Sequence, residues 1–138
     1  YLLPLAFAEG SPTHPSYPAG HATIAGACVT VLKAFFQGNK ELNNPVTTNS
    51  VGDLVPYTGT LTVEGELNNL ANNVALGRDW AGVHYRSDGV DGLQVGEQQA
   101  ETLLRDYSIT YNESFDGFRF RRFNGQQVRI VNGELTLI

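Results

Sequence analysis

The sequence predicts a mainly α-helical protein that ends in a small antiparallel β meander. Two observations predict this class. Three stretches carry apolar residues at helical spacing, whereas residues 117–138 alternate between apolar and polar side chains. The length of 138 residues is sufficient for one domain with a modest core. We therefore expect a single domain over residues 1–138.

The first helix is predicted over residues 20–36. The stretch before it carries four prolines, which favour an extended loop. The apolar positions that follow at helical spacing are Ile24, Cys28, Val31, Leu32, Phe35 and Phe36. We expect this face to be buried, with Cys28 as a small hydrophobic residue within it.

Two more helices are predicted after a long loop at residues 37–60, which is rich in Asn, Pro and Gly. The second helix covers residues 62–80. The third begins at His84 or Ser87 and ends at Tyr107. Its three glycines, which allow close packing against a neighbouring helix, are Gly89, Gly92 and Gly96.

The meander is predicted over residues 117–138 from two Asn-Gly pairs. Asn124-Gly125 and Asn132-Gly133 separate three runs of strand-like residues. An Asn-Gly pair between alternating runs is the strongest local signal of a β-hairpin. The first run, Phe118-Arg119-Phe120-Arg121, predicts a strand with one apolar and one solvated face.

Composition excludes several classes of function. Nine Lys and Arg residues against 14 Asp and Glu residues give a net charge of −5, so no basic face is available for nucleic acid or an anionic membrane. The single cysteine excludes an intrachain disulfide and a zinc site with several Cys ligands. No apolar run reaches the roughly 18–20 residues of a membrane span.

The first candidate site lies at residues 13–21, with the sequence THPSYPAGH. A proline-rich loop delivers Ala19, Gly20 and His21 to the start of a helix, where backbone N–H groups are unpartnered and attract anions. His21 can transfer a proton near neutral pH. Taken alone, such a segment is more often an ordinary helix start beside a surface histidine.

The second candidate site lies at residues 77–88, with the sequence GRDWAGVHYRSD. Arg78 offers a charged fork that suits oxyanions. His84 and Asp88 are four residues apart, so on a helix they share a face and the carboxylate can orient the imidazole. Alone, this too is compatible with a surface arginine and an ordinary His–Asp pair. Two such segments in one short chain favour a shared oxyanion site.

Together these residues resemble the vanadium-dependent haloperoxidases, which share their site with the type 2 phosphatidic acid phosphatases. That superfamily has three motifs: Lys-x6-Arg-Pro, then Pro-Ser-x-x-Ser-Gly-His, then Ser/Gly-Arg-x5-His-x3-Asp. Residues 15–21 resemble the second motif and residues 77–88 the third. Residues 3–18, 64–68 and 84–89 are similar to red-algal and cyanobacterial bromoperoxidases. The resemblance implies the helical-bundle core of this superfamily.

The resemblance also implies a role for each site residue. His84 would bind the vanadium of a vanadate cofactor, and Asp88 would orient His84. Arg78 and the backbone N–H of Gly20 would bind vanadate oxygens. His21 would act as the acid–base residue and His14 would tune halide oxidation. Bromide would be oxidised by hydrogen peroxide to a hypobromite-like species that halogenates an organic acceptor, and the enzyme would be a homo-oligomer.

Two departures from the family pattern keep alternatives open. Ala19 stands where the family has a serine that donates to vanadate, and no Lys-x6-Arg-Pro occurs in the chain. We therefore expect the C-terminal catalytic segment of a longer enzyme. The alternatives are an acid phosphatase of the same superfamily, with His84 as nucleophile, and a non-catalytic truncated homologue. His14 and the β tail disfavour the phosphatase, whereas Ala19 favours the truncated homologue.

Overall fold

The structure, a computed structural model, describes residues 10–138. Within them the helices are α1 (Gly20–Phe35), α2 (Val63–Trp80) and α3 (Arg86–Ser108), close to the predicted 20–36, 62–80 and 84–107. The strands are β1 (Val46–Thr48), β2 (Leu54–Pro56), β3 (Phe118–Arg121), β4 (Gln127–Val131) and β5 (Glu134–Leu137). The mainly helical class with a C-terminal meander is therefore confirmed. The sequence resemblance at residues 3–9 lies outside the described part.

Helices α1 and α3 run parallel, and α2 runs antiparallel to both. The start of α1 packs on the start of α3, because Ala19 lies against Gly92. Ala19 also packs in one cluster with Ala75, which is near the end of α2. The starts of α1 and α3 and the end of α2 therefore meet at one end of the helical layer, which we call the site end.

The β meander covers the opposite end of the helical layer, which we call the meander end. Strand β4 lies between β3 and β5, and both pairings are antiparallel. Asn132 and Gly133 both have positive φ in the tight turn between β4 and β5, a conformation that this residue pair favours. Strand β3 alternates between buried and exposed residues as predicted. Its buried residues pack in one core cluster with Leu104 of α3.

The predicted burial of the apolar face of α1 is wrong. Ile24 is 66% exposed, Phe35 is 56% exposed, and Cys28 is exposed instead of lying in the core. The buried residues of α1 are Ala22, Gly26, Val29, Thr30 and Lys33. The face with small residues is buried because it allows α1 and α3 to approach to backbone contact: a Cβ on Gly26 would clash with the backbone carbonyl oxygen of Leu93 in α3.

The segment predicted as a long loop, residues 37–60, contains a short hairpin. Strands β1 and β2 are three residues each and pair antiparallel. The side chain of Asn49 organises the turn between them by accepting hydrogen bonds from the backbone N–H groups of Val51 and Asp53. Such Asx-type bonding explains why a sequence rich in turn residues still forms a hairpin. Among the described helices, none combines the length and the apolar character needed to cross a membrane.

Candidate active site at the start of two helices

The two candidate segments, residues 13–21 and 77–88, meet at the site end. The backbone N–H of Ala19 donates to the carbonyl oxygen of Asp88, at 3.0 Å. Ala19 is fully buried in this contact. The positive ends of the α1 and α3 dipoles therefore lie side by side, an arrangement that favours an anion.

Asp88 is the most connected residue of the site. It is buried, and its Oδ2 accepts the backbone N–H of Tyr85 at 3.1 Å, which caps the start of α3. This bond is the main cause of a lowered Asp88 pKa, and it outweighs the opposing effect of burial. Hydrogen bonds from His84, Ser16 and Ser87 lower the pKa further. Asp88 therefore carries a negative charge at neutral pH.

His84 is held by this carboxylate. Its ring is buried, and Nδ1 lies 3.3 Å from Oδ2 of Asp88. Because a carboxylate can only accept, Nδ1 carries the proton, and in the neutral ring the lone pair of Nε2 is then available as a ligand or nucleophile. The predicted orienting role of Asp88 remains a proposal about function, but the geometry needed for it is present.

The start of α1 offers backbone donors without a side-chain cap. Ala19 at the N-cap position makes no side-chain hydrogen bond, and the first turn carries no acidic residue. In contrast, Thr62 caps α2 with its hydroxyl oxygen, and α2 has two glutamates in its first turn. A Cβ built on Gly20 would have no neighbour within 4 Å, so there is open space beside the first turn of α1.

Arg78 is half-buried in the last turn of α2. The chain turns back directly after it, through a bond from the Gly82 N–H to the carbonyl of Asp79, at 2.9 Å. Gly82 has a φ of 78°, which a residue with a side chain rarely adopts. This turn brings His84 to the same end of the molecule as Arg78, a permanent positive charge.

The other two predicted histidines are at the surface. His14 and His21 are exposed, and Nδ1 of His14 donates to the carbonyl of Pro15, at 2.8 Å. Within residues 10–138 neither ring hydrogen-bonds to His84 or Asp88. His21 nevertheless lies in the first turn of α1, next to Gly20.

These residues fit a tetrahedral oxyanion such as vanadate. The ring of His84 offers one ligand nitrogen, Arg78 offers charge, and Gly20 leaves room at uncapped backbone donors. In the described part of the chain, no group of three or more His, Cys, Asp or Glu side chains is placed to hold a metal ion.

Sequence reasoning missed three residues that build the site. Ser16 helps to lower the pKa of Asp88, and Asp91 is the main cause of a raised Tyr17 pKa, so the loop before α1 lies beside the first turns of α3. The backbone of Ala19 packs directly against Gly92. Ser16 and Tyr17 lie within the first candidate segment, residues 13–21, but nothing in the sequence identifies their partners.

The fold is a helical-bundle domain with a C-terminal meander, and comparison with known proteins agrees with the helical bundle. A family model described as the VCPO second helical-bundle domain matches residues 3–113, and the chain belongs to this family. The chain is 50% identical over 133 residues to vanadium-dependent bromoperoxidases of Corallina pilulifera and Corallina officinalis. It is 47% identical over 143 aligned residues to the vanadium-dependent bromoperoxidase of Ascophyllum nodosum.

The coverage of these matches is asymmetric. They include 94% of this chain for both Corallina proteins and 99% for the Ascophyllum protein. The chain spans only 22% of each Corallina protein and 26% of the Ascophyllum protein. The predicted resemblance to bromoperoxidases is confirmed, and it applies to one segment of those longer proteins.

Proposed function

We propose that this chain is the vanadate-binding segment of a bromoperoxidase, which oxidises bromide with hydrogen peroxide to a hypobromite-like species that halogenates an organic acceptor. One observation carries the proposal: Asp88 contacts both motifs. Its carboxylate accepts from His84, and its backbone carbonyl accepts from Ala19. Two motifs from distant parts of the sequence are thereby joined through one residue.

The proposed roles follow from the chemistry of each group. His84 would hold vanadate through Nε2, while Arg78 and the N–H of Gly20 would bind its oxygens. When bound, vanadate supplies a Lewis-acidic centre for peroxide activation. Asp88 keeps the proton of His84 on Nδ1, so that Nε2 stays available.

The exposed histidines complete the proposal. His21 lies in the first turn of α1, where its ring can accept a proton from hydrogen peroxide and return it to a leaving oxygen. For His14 we propose an influence on bromide oxidation, because its exposed ring stands on the loop that leads into the site. Ala19 provides no hydroxyl, so vanadate binding is expected to be weaker than in a protein with serine there.

The test compares two reactions on the same preparation. After addition of orthovanadate, we expect hydrogen peroxide and bromide to brominate a phenolic dye, whereas hydrolysis of a phosphate monoester stays at background. His84→Ala should abolish bromination, and Lys40→Ala, at an exposed position, should retain it. Phosphatase activity that depends on His84 would favour the alternative enzyme, and no activity of either kind would favour the non-catalytic homologue.

We also propose that the chain self-associates. Ile24, Leu32 and Phe35 expose apolar side chains on one face of α1, and exposed apolar patches commonly mark interaction surfaces. Light scattering should give a mass above the 15.0 kDa of one chain. Ile24→Ser should lower that mass, and a monomeric wild-type chain would contradict the proposal.

A further inference from the structure

We propose that Gly92 is a positioning residue for the oxyanion site: its missing side chain sets how closely the first turn of α1 approaches the start of α3, whose Asp88 holds His84. This inference rests on the proposed function, because it concerns the same oxyanion. Asp88 and Gly92 are four residues apart on one face at the start of α3, and the Asp88 carboxylate holds His84, which precedes the helix.

The contact at Gly92 is a contact with backbone. A Cβ at this position would lie 2.8 Å from the carbonyl oxygen of Ala19 and 3.0 Å from Cβ of Ala22. The first distance is below what real Cβ contacts show, and a backbone oxygen cannot rotate away as a flexible side chain can. Any side chain at Gly92 therefore has to push the start of α1 away from α3.

The carbonyl of Ala19 is rigidly connected to the donors of α1. It accepts the first helical hydrogen bond, from the N–H of Thr23 at 2.9 Å, and a second bond from the Thr23 hydroxyl at 3.1 Å. On the other side of the same residue, the N–H of Ala19 bonds to Asp88. A displaced Ala19 would carry the neighbouring N–H groups of Gly20 and His21 away from His84.

The other glycines near the site provide contrast. Gly20 has open space around its missing Cβ, as expected where a ligand approaches. A Cβ on Gly89 would meet only Cβ of Ala75, at 3.4 Å, which is an ordinary contact. Gly89→Ala and Gly92→Ala thus make the same change in the same helix, but only the second pushes on α1.

The experiment measures two quantities on the full chain for the wild type and for Gly92→Ala and Gly89→Ala. The first is the position of the Gly20 and His21 amide resonances without any ligand. The second is the dissociation constant of orthovanadate by calorimetry. We expect Gly92→Ala to shift both resonances and to weaken binding about tenfold, because hydrogen bonds weaken steeply when misaligned. Gly89→Ala should match the wild type in both.

Val29→Ala controls for lost stability. Val29 is buried in α1, so its truncation leaves a cavity and lowers stability without pushing the helices apart. It should keep wild-type vanadate affinity. If Gly92→Ala does not fold, Ala22→Ser enlarges the same contact by one atom from α1, and the same two measurements decide the question.

Three results would overturn the inference. The first is unshifted Gly20 and His21 resonances in Gly92→Ala, or in Ala22→Ser when that variant is used. The second is an equal loss of affinity in Val29→Ala, which would trace the effect to general loosening. The third is a wild-type chain that binds no vanadate; this removes the proposed function as well, and it is recognised from the wild type alone.

Discussion

The two ends of the helical layer are held together by different kinds of packing. At the site end the buried apolar residues are small, and contact runs through backbone: Ala19, Ala22 and Ala75 form one cluster, with Leu93 packed against it. At the meander end the buried residues are large, and they are Leu104, Phe118, Phe120, Val128 and Ile130. Burial of apolar area stabilises by roughly 25 cal/mol per Å², so the meander end carries most of the hydrophobic stabilisation.

Because of this difference, stability depends mainly on the meander end, whereas the proposed chemistry depends on the site end. Small residues at the site end bring helix N-termini together and leave backbone donors and His84 to form a polar site. None of the residues proposed to bind vanadate lies at the meander end. Substitutions at the meander end should therefore lower the free energy of unfolding, and substitutions at the site end should change oxyanion binding.

Phe118→Ala should give the largest effect on stability. Phe118 is buried, and its ring packs against Phe35 and Phe115 with centroids 5.2 Å and 4.9 Å away. We expect the free energy of unfolding to fall by about 4 kcal/mol in urea titrations. Phe36→Ala, at an exposed phenylalanine, should cost under about 1 kcal/mol. Equal losses in the two variants would show that the meander end is not the main source of stability.

Lys33→Ala should come next. Lys33 is 1% exposed, and Nζ donates to the carbonyl of Arg121 at 2.8 Å and to Oδ1 of Asn68 at 3.2 Å. It also lies 3.9 Å from Oε1 of Glu97, so one ammonium group links all three helices to β3. Removal leaves Glu97 buried without its positive partner, and we expect a loss of about 3 kcal/mol, measured by urea unfolding. Lys40→Ala, with the same change at the surface, should have little effect.

The same lysine predicts a pH dependence. Burial lowers the pKa of Lys33 below its usual value of 10.5, so between the two values the unfolded chain binds more protons than the folded one. Stability from this group therefore rises as the pH increases toward 10.5. Relative to Lys33→Met, the wild type should gain stability between pH 7 and pH 10. A constant difference between the two proteins would contradict the lowered pKa.

Ala19→Ser tests the site end. A serine hydroxyl at this N-cap position adds one donor to a charged ligand, so we expect vanadate to bind more tightly by about 2 kcal/mol. The hydroxyl can also cap α1, which would raise the stability of the free protein by about 1 kcal/mol. Calorimetric titration with vanadate and urea unfolding separate the two effects. Equal vanadate dissociation constants for wild type and variant would contradict the prediction.

Thr30→Val should give the smallest effect, and in the opposite direction. Thr30 is fully buried in α1, and its hydroxyl has no hydrogen-bond partner among the described residues. Replacing an unpaired buried hydroxyl by a methyl group should raise the free energy of unfolding by about 1 kcal/mol. Thr30→Ser, which keeps the hydroxyl and removes the methyl, should destabilise instead. Thermal unfolding of both variants checks the sign.

Local sequence patterns predicted the three helices and the C-terminal strands, because their signals act over a few residues, but they did not predict the hairpin of β1 and β2. The spacing of apolar residues predicted the helices, and Asn132-Gly133 predicted a tight turn, since this pair tolerates positive φ. Those signals do not specify which face of a helix is buried. For α1 the larger apolar residues suggested one face, but the structure buries the other.

For the candidate site too, one part was predictable from the sequence and another was not. The chain by itself determined the residue types and their spacing: Arg78, His84 and Asp88 in one segment, and Ala19-Gly20-His21 in another. Only the tertiary structure decided that Asp88 joins the two segments and that Gly92 accommodates the backbone of Ala19. The reason is physical: hydrogen-bond and turn preferences are local, whereas close helix contact depends on which small residues of two distant segments face each other.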